Sequence, residues 1–346
     1  TTYILILVTC FYKLKKLVLL VIYSTPMSLQ EEQCIPILDF SRNKLVPGTS
    51  HWIATRDSVR KAMEEQGWFV AEFNGVSPDL RSNLLAGMKD MYDLPYQIKM
   101  KNENHKASHG YMSMVVDDYQ IHESLGIDYA TELQACQDFA KLLWPQGNDP
   151  LSQSTHMYAM ALAELDHTVM KMLYESYGMD ERKHSASHSE STRYLLRLLS
   201  YRRQRDGEAN TGFVSHTDKS FMSILHQNHV AGLQLKTMTD QWVGFTPSPT
   251  RFVVLSGMGL TAWSNDRIKP CYHRVVMSAD EIRYSLGFFS FHKGTIRTPE
   301  ELVDDQHPLH YNPFEHDGLL RFYESYLNIM KKSSEDLLQI YCGVNP

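Results

Sequence analysis

The stretch Ser215–Leu235, SHTDKSFMSILHQNHVAGLQL, contains two apolar, strand-like runs separated by a polar turn. The runs are Phe221–His226 and Leu233–Lys236, the second of which extends one residue beyond the stretch. Similar runs, separated by turns rich in Gly, Pro, Asn and Asp, are Tyr194–Tyr201, Gln241–Phe245, Phe252–Ser256, Arg274–Met277 and Tyr284–Phe291. Many short strands at close spacing predict an all-β core, a sandwich or barrel, rather than alternating βαβ units.

Helical patterns flank this predicted β core. Apolar residues spaced by three and four predict helices around Leu80–Met88, Leu162–Leu173 and Leu319–Met330, and Gly178 stands where a C-terminal cap is expected. Residues 181–192, ERKHSASHSEST, predict a polar loop. We therefore expect a helix-rich region over 27–190, the β core over 191–310 and a C-terminal helical segment over 311–346.

The composition is that of a folded protein, with 43% hydrophobic residues and a net charge of −6. Because there is no basic run, nucleic acid is not expected to be the main partner. The five cysteines are scattered without a Cys-x-x-Cys pair, which favours a reducing compartment and excludes a disulfide scaffold or a cysteine-based zinc site. We expect a cytoplasmic monomer without membrane or nucleic-acid partners, acting on a small-molecule substrate.

Residues 1–26 differ from the rest of the chain. Their apolar runs, Tyr3–Tyr12 and Leu17–Tyr23, are separated by lysines, and neither reaches the roughly 18–20 residues that span a bilayer. A signal peptide carries its charges before the apolar core. We interpret the segment as a translation or gene-model artefact preceding Met27; a membrane anchor is the alternative.

Two motifs resemble binding sites without the context that such sites require. Gly257-Met258-Gly259-Leu260-Thr261-Ala262 has the spacing of a dinucleotide-binding fingerprint, but Pro270 and the polar residues before it leave no room for a βαβ helix. We expect a turn between strands. His188-x-Glu190 offers two metal ligands but no third, and we expect a solvated loop.

His216-Thr217-Asp218 is the strongest candidate for a chemical site. In an extended backbone, residues two apart point to the same face, so imidazole and carboxylate can bind one ion. His273 follows 55 residues later beside another predicted strand. Two histidines and one carboxylate leave three coordination positions open, as in non-haem Fe(II) enzymes that use O₂ and a chelating co-substrate. A zinc hydrolase more often carries His-Glu-x-x-His, which is absent from the sequence.

Arg283 and Ser285 follow inside the next predicted strand and share one face of it. The planar guanidinium offers paired donors that suit a carboxylate, and the hydroxyl can donate a further hydrogen bond. We interpret the pair as a carboxylate-binding site; an ordinary surface arginine is the alternative.

Motifs along the whole chain extend these observations. They are Ile35-Pro36-Ile37-Leu38-Asp39-Phe40, Glu65-Gln66-Gly67-Trp68-Phe69, Leu94-Pro95, Gly110-Tyr111, Trp144-Pro145, Gly232-Leu233-Gln234, His273-Arg274-Val275 and Arg283-Tyr284-Ser285. With them, the sequence resembles the plant 2-oxoglutarate- and Fe(II)-dependent dioxygenases of the isopenicillin-N-synthase-like family, closest to the glucosinolate side-chain branch. The resemblance implies a double-stranded β-helix (jelly roll) with flanking helices.

The resemblance also implies roles for individual residues. Fe(II) would be bound by the catalytic residues His216, Asp218 and His273, and the distal carboxylate of 2-oxoglutarate by Arg283 and Ser285. Tyr201 would lie near the metal-side carboxylate, and Tyr111, Phe289 and Phe291 would line the substrate pocket or else the core. O₂ would be consumed, with ascorbate as a supporting reductant. Two positions depart from the family pattern, because Leu199 replaces an Asn and Met258 replaces an Asp.

The implied reaction is hydroxylation or desaturation of a small plant metabolite, with release of succinate and CO₂. The sequence leaves two alternatives open. One is an Fe(II) oxidase that does not use 2-oxoglutarate, which the Leu199 departure leaves open. The other is a catalytically silent binding protein that retains the jelly roll.

Overall fold

The computed structural model describes residues 35–104, 106, 109–116, 119–204, 210–277, 281–330 and 337–344. The predicted artefact at residues 1–26 lies outside these residues. From Ile37 onward, the described residues form one compact unit. Within them, no helix is both long enough and apolar enough to span a membrane.

Two sheets form the core of this unit. The larger has the strand order β1-β2-β10-β7-β12-β5-β4-β3, and the smaller has the order β6-β11-β8-β9. The strands are β1 Ile37–Asp39, β2 Trp68–Glu72, β3 Met112–Val116, β4 Tyr119–Asp128, β5 Thr192–Tyr201, β6 Thr211–His216, β7 Met222–Gln227, β8 Leu233–Lys236, β9 Trp242–Gly244, β10 Arg251–Ser256, β11 His273–Val276, β12 Arg283–His292, β13 Thr295–Ile296 and β14 Phe314–Glu315. The last two form a separate two-stranded sheet.

Helices surround these sheets. They are α1 Ser50–Gln66, α2 Pro78–Tyr92, α3 Tyr96–Lys99, α4 Leu133–Leu143, α5 Asp149–Ser176, α6 Glu181–Ser191, α7 Met258–Trp263, α8 His316–Met330 and α9 Leu337–Cys342, with a 3₁₀ turn at Glu300–Leu302. The first two helices begin at hydroxyl caps, since Thr49 and Ser77 accept hydrogen bonds from backbone N–H groups of their first turns. Gly178 adopts a φ of 72° just after α5, as its predicted capping position requires.

Strand β12 divides its side chains between the two faces of the larger sheet. Leu286 and Phe288 belong to the main hydrophobic core with residues of the helices. Arg283 and Ser285 alternate with them and therefore face the other way. Strand β5 pairs with β12 throughout, and its Tyr201 packs with Val275 of the smaller sheet. The polar face of β12 is thus turned toward the smaller sheet.

The predicted division at residue 190 is not a structural boundary. Strands β2 and β4 precede it, yet β2 pairs with β10 and β4 pairs with β5 in the same sheet. The helix-rich region therefore contributes four strands, β1–β4, to the β core. Strand β2 is largely buried and lacks the alternation that identifies a half-buried strand.

The predicted loop at 181–192 is wrong, because residues 181–191 form α6 and Thr192 begins β5. His188 is buried and its Nε2 lies 3.0 Å from Asp166 Oδ2 of α5. This tertiary contact outweighs the low helix propensity of the serines. Asp166, His167 and His188 cluster closely enough to hold a metal ion. However, Asp166 Oδ2 also accepts a hydrogen bond from Tyr194, so hydrogen bonding accounts for the cluster.

The turn predicted after β10 is also wrong in detail, since the six-residue helix α7 begins at Met258. The main-chain N–H groups of Met258 and Gly259 donate to the main-chain carbonyl oxygens of Asp218 and Ser220, which fixes this segment against the turn after β6. Both neighbours of β10 in the sheet are antiparallel to it. The dinucleotide-binding unit is therefore excluded, as the sequence predicts.

Candidate active site

The three predicted metal ligands converge at one end of the smaller sheet. His216 ends β6, His273 begins β11, and the two are direct cross-strand partners. Asp218 lies in the turn that follows β6. His216 Nε2 is 3.6 Å from Asp218 Oδ1, and His273 Nε2 is 3.8 Å from the same oxygen. A single ion can therefore contact all three atoms.

Backbone carbonyls and one hydroxyl orient these ligands. His216 Nδ1 lies 2.9 Å from the carbonyl oxygen of Val214, and His273 Nδ1 lies 3.3 Å from that of Cys271. With the proton on each Nδ1, the Nε2 lone pairs are free to bind a metal. Ser223 Oγ donates to Asp218 Oδ2 at 2.6 Å, which leaves Oδ1 facing the histidines.

The electrostatics of the cluster favour a cation. Burial by itself would raise the pKa of Asp218, but His273, His216 and Ser223 outweigh it and hold that pKa well below its usual range. Burial and the neighbouring His216 lower the pKa of His273 to about 4, so this imidazole is neutral at pH 7. An anionic carboxylate beside a neutral imidazole suits Fe(II). The residues present therefore fit a ferrous ion.

Arg283 lies on the larger sheet with its side chain only 1% exposed. Its Nη2 donates to Gln227 Oε1, and the guanidinium carbon lies 4.9 Å from the centre of the Tyr201 ring. Its Nε and Nη1 are buried without a hydrogen-bond partner among the described residues. A buried cation with free donors in a planar array matches a carboxylate, so the site fits the distal end of a dicarboxylic co-substrate.

Ser285 and Tyr201 flank Arg283. Ser285 is buried, and its hydroxyl donates to the carbonyl oxygen of His226 at 3.2 Å, so its oxygen retains a lone pair for a further donor. Tyr201 is the cross-strand partner of Arg283. Its ring lies against the Arg283 guanidinium, whereas the resemblance implies a place near the metal-side carboxylate.

A row of aromatic and imidazole rings connects the two ends of the site. Tyr201 stacks on His122 with ring centres 5.1 Å apart, and His122 lies 5.1 Å from Phe213. Phe213 in turn lies 4.7 Å from His216. Leu199, which replaces the family's Asn, packs against Tyr201 and its apolar neighbours. It contributes packing to this side of the site and offers no hydrogen bond.

The comparisons with known proteins agree with this geometry. The family model described as the 2OG-Fe(II) oxygenase superfamily matches residues 191–292, and a model described as non-haem dioxygenase in morphine synthesis N-terminal matches residues 35–146. The probable 2-oxoglutarate-dependent dioxygenase AOP1 of Arabidopsis thaliana is 39% identical over 298 residues, covering 84% of this chain and 97% of AOP1. The chain belongs to the 2-oxoglutarate- and Fe(II)-dependent dioxygenases.

Solved structures of this dioxygenase family share the fold. The rice dioxygenase for auxin oxidation matches with a TM-score of 0.74 and 25% identity, over 89% of this chain and 99% of that one. The Arabidopsis thaliana enzyme AtDAO1, crystallised with 2-oxoglutarate, matches with a TM-score of 0.70 and 25% identity, over 79% and 99%. The jelly roll, the plant branch, the oxidoreductase class and the use of Fe(II) and 2-oxoglutarate are thereby confirmed.

The three predicted pocket residues of this dioxygenase have different surroundings. Phe289 pairs across the strands with Ser223, the residue that contacts Asp218, and so lies near the metal ligands. Phe291 is buried against Arg193, with 4.7 Å between the guanidinium carbon and the ring centre. Tyr111 donates its hydroxyl hydrogen to Glu123 Oε2 at 3.1 Å. Of the three, Phe289 remains the best candidate for contact with substrate.

Three polar residues around the dioxygenase site were not predicted from the sequence. Ser223 and Gln227 hold Asp218 and Arg283, and the signal for them was their even spacing along a strand that follows the metal motif. The third is Lys219, next to Asp218 in the chain. Burial lowers the pKa of Lys219 to about 8.

Proposed function

We propose that this dioxygenase hydroxylates or desaturates a small plant metabolite at a C–H bond and converts 2-oxoglutarate to succinate and CO₂. One observation carries the proposal. Three ligand atoms converge on one point at the smaller sheet, while a buried guanidinium lies on the facing side of the larger sheet, with two N–H donors that lack a hydrogen-bond partner among the described residues. This arrangement suits a metal ion and a dicarboxylate bound together.

In this proposal, His216, Asp218 and His273 bind Fe(II), which supplies the redox chemistry with O₂ when it is bound. The protein orients the ligands and excludes water. Arg283 binds the distal carboxylate of 2-oxoglutarate, and the Ser285 hydroxyl rotates to donate to that carboxylate. The Tyr201 ring packs against the Arg283 guanidinium.

The relatives direct the search for the substrate. The rice structure is described as a dioxygenase for auxin oxidation, and we propose small plant metabolites of that kind as the first compounds to test. We further propose that Tyr111, Phe289 and Phe291 line the substrate pocket, with Phe289 nearest the metal. Ascorbate would support turnover by keeping the iron reduced, and the enzyme would act as a cytoplasmic monomer.

The decisive experiment measures succinate and oxidised product together in the presence of Fe(II), 2-oxoglutarate, O₂ and a metabolite panel. We expect succinate to form in equal amount to product and to vanish when iron is chelated. Product without succinate would identify an oxidase that does not use 2-oxoglutarate. Tight binding of metal and 2-oxoglutarate without turnover across the panel would favour the silent binding protein. Gel filtration tests the monomer.

A further inference from the structure

Lys219 introduces a positive charge beside the metal ligands. It follows Asp218 directly, and its Nζ donates at 2.5 Å to the carbonyl oxygen of Thr217, which lies between two of the ligands in the chain. On its other side, Nζ lies 4.3 Å from the centre of the Tyr323 ring of α8. The ammonium group is therefore held between the metal-binding turn and the helix that covers it.

The position of Lys219 is fixed by the surrounding structure. His316 is completely buried, and its Nδ1 accepts a hydrogen bond from the main-chain N–H of His292. Its Nε2 therefore carries the proton and donates to the carbonyl oxygen of Lys219 at 2.7 Å. This hydrogen bond fixes the main chain of Lys219 against the start of α8.

The formal charges at the site indicate that Lys219 needs an anionic partner. A divalent ion bound by Asp218 and two neutral imidazoles leaves one positive charge. The co-substrate dianion neutralises that charge together with the charge of Arg283. The charge of Lys219 then remains, because Asp218 is already counted with the metal, and Nζ contacts a carbonyl oxygen and an aromatic ring. A half-buried cation near a metal ion is unfavourable unless an anion accompanies it.

Resting on the function proposed above, we propose that Lys219 binds an anionic group of the substrate. The substrate class is then a small metabolite that carries a carboxylate, sulfate or phosphate. Tyr323 holds the ammonium by a cation–π contact and forms part of the same subsite. The metal-side carboxylate of 2-oxoglutarate is the other possible source of the anion, and the experiment distinguishes the two.

The probes are acids paired with their neutral amides: phenylacetate with phenylacetamide, cinnamate with cinnamamide, and octanoate with octanamide, together with phenyl sulfate and phenyl phosphate. Calorimetry measures the binding of each to the full chain loaded with Mn²⁺ and saturated with 2-oxoglutarate. Mn²⁺ and 2-oxoglutarate binding are measured first, so that a failure of the proposed function shows up before any probe is added. The variants are Lys219→Met and Lys219→Arg. Lys171→Met is the control, because Lys171 Nζ also lies over an aromatic ring, 5.8 Å from the centre of Trp52, but on α5.

We expect at least one anionic probe to bind. Its amide should bind at least about tenfold more weakly, because it lacks one charge-assisted hydrogen bond. Lys219→Met should weaken the binding of that anionic probe by a similar factor. Lys219→Arg should largely restore the affinity, and Lys171→Met should leave it unchanged. The affinity for 2-oxoglutarate should stay within about twofold. The proposal is overturned if the amides bind as tightly as the acids or if no anionic probe binds. It is also overturned if Lys219→Met weakens the binding of 2-oxoglutarate instead of the binding of the probe.

Discussion

Replacing Arg283 with lysine tests the co-substrate site most directly. The guanidinium uses Nη2 for Gln227 and leaves Nε and Nη1 for a carboxylate. Lysine offers a single ammonium group with a different reach. Charge-assisted hydrogen bonds contribute roughly 1.5–3 kcal/mol each. Because about 1.4 kcal/mol is a tenfold change in affinity, losing one or two bonds should raise the KM for 2-oxoglutarate by a factor between about 10 and about 10⁴.

The assay is a titration of 2-oxoglutarate with succinate as the readout, together with calorimetric binding of 2-oxoglutarate to the Mn²⁺-loaded enzyme. Arg274→Lys is a matched control, since Arg274 also bonds a glutamine, Gln234, and lies 4.2 Å from the ring centre of Trp242. We expect the control to leave the KM for 2-oxoglutarate unchanged, and iron affinity to stay the same in both variants. If Arg283→Lys changes the KM for 2-oxoglutarate by less than about twofold and raises that for substrate, then Arg283 binds substrate and the assignment fails.

Three further predictions concern the metal site and the core. His216→Ala, Asp218→Ala and His273→Ala should each abolish activity and weaken iron binding without unfolding the chain, checked by metal stoichiometry and circular dichroism; normal turnover in any of them would reassign that ligand. Ser223→Ala should weaken metal binding about 10–100-fold while 2-oxoglutarate still binds at saturating Mn²⁺; unchanged metal affinity would refute the orienting role. Burial lowers the pKa of His226 from 6.5 to about 3. As the pH falls below about 6.5, the imidazole is protonated in the unfolded chain but not in the folded one, so the folded state loses stability. By pH 5 the loss in the free energy of unfolding amounts to about 2 kcal/mol. Between pH 7.5 and 5, the His226→Gln variant should therefore lose about 2 kcal/mol less of its free energy of unfolding than the wild type, as measured by denaturant titrations.

The sequence predicted the β core better than the strands added to it. Each of the seven predicted runs after residue 190 overlaps an observed strand, because each is short, apolar and bounded by turn residues. Strand β4, YQIHESLGID, was not predicted because it mixes polar and charged residues with apolar ones. Its place is set by its pairing with β5, which a local pattern does not contain.

The identity of the metal ligands was also predictable, but their geometry was not. The sequence predicted His216 and Asp218 on one face of an extended segment. The motif was placed just before a predicted strand, but in the structure His216 itself ends a strand that was not predicted, and Asp218 reaches the same point from the following turn. His273 completes the set because it is the direct cross-strand partner of His216. Such a register depends on the tertiary arrangement of two strands that are distant in sequence.

Strand β7 links the two ends of the site and explains why they should respond separately to mutation. Ser223 contacts Asp218, and Gln227 contacts Arg283. The two are four residues apart on one strand, so they share a face and their Cα atoms are separated by about 13 Å. A single rigid element thereby sets the distance between the metal ligands and the carboxylate anchor, although these belong to different sheets. A change confined to the side chain of Ser223 should therefore alter metal affinity alone, and one confined to Gln227 should alter 2-oxoglutarate affinity alone. A change that displaces the backbone of β7 should alter both.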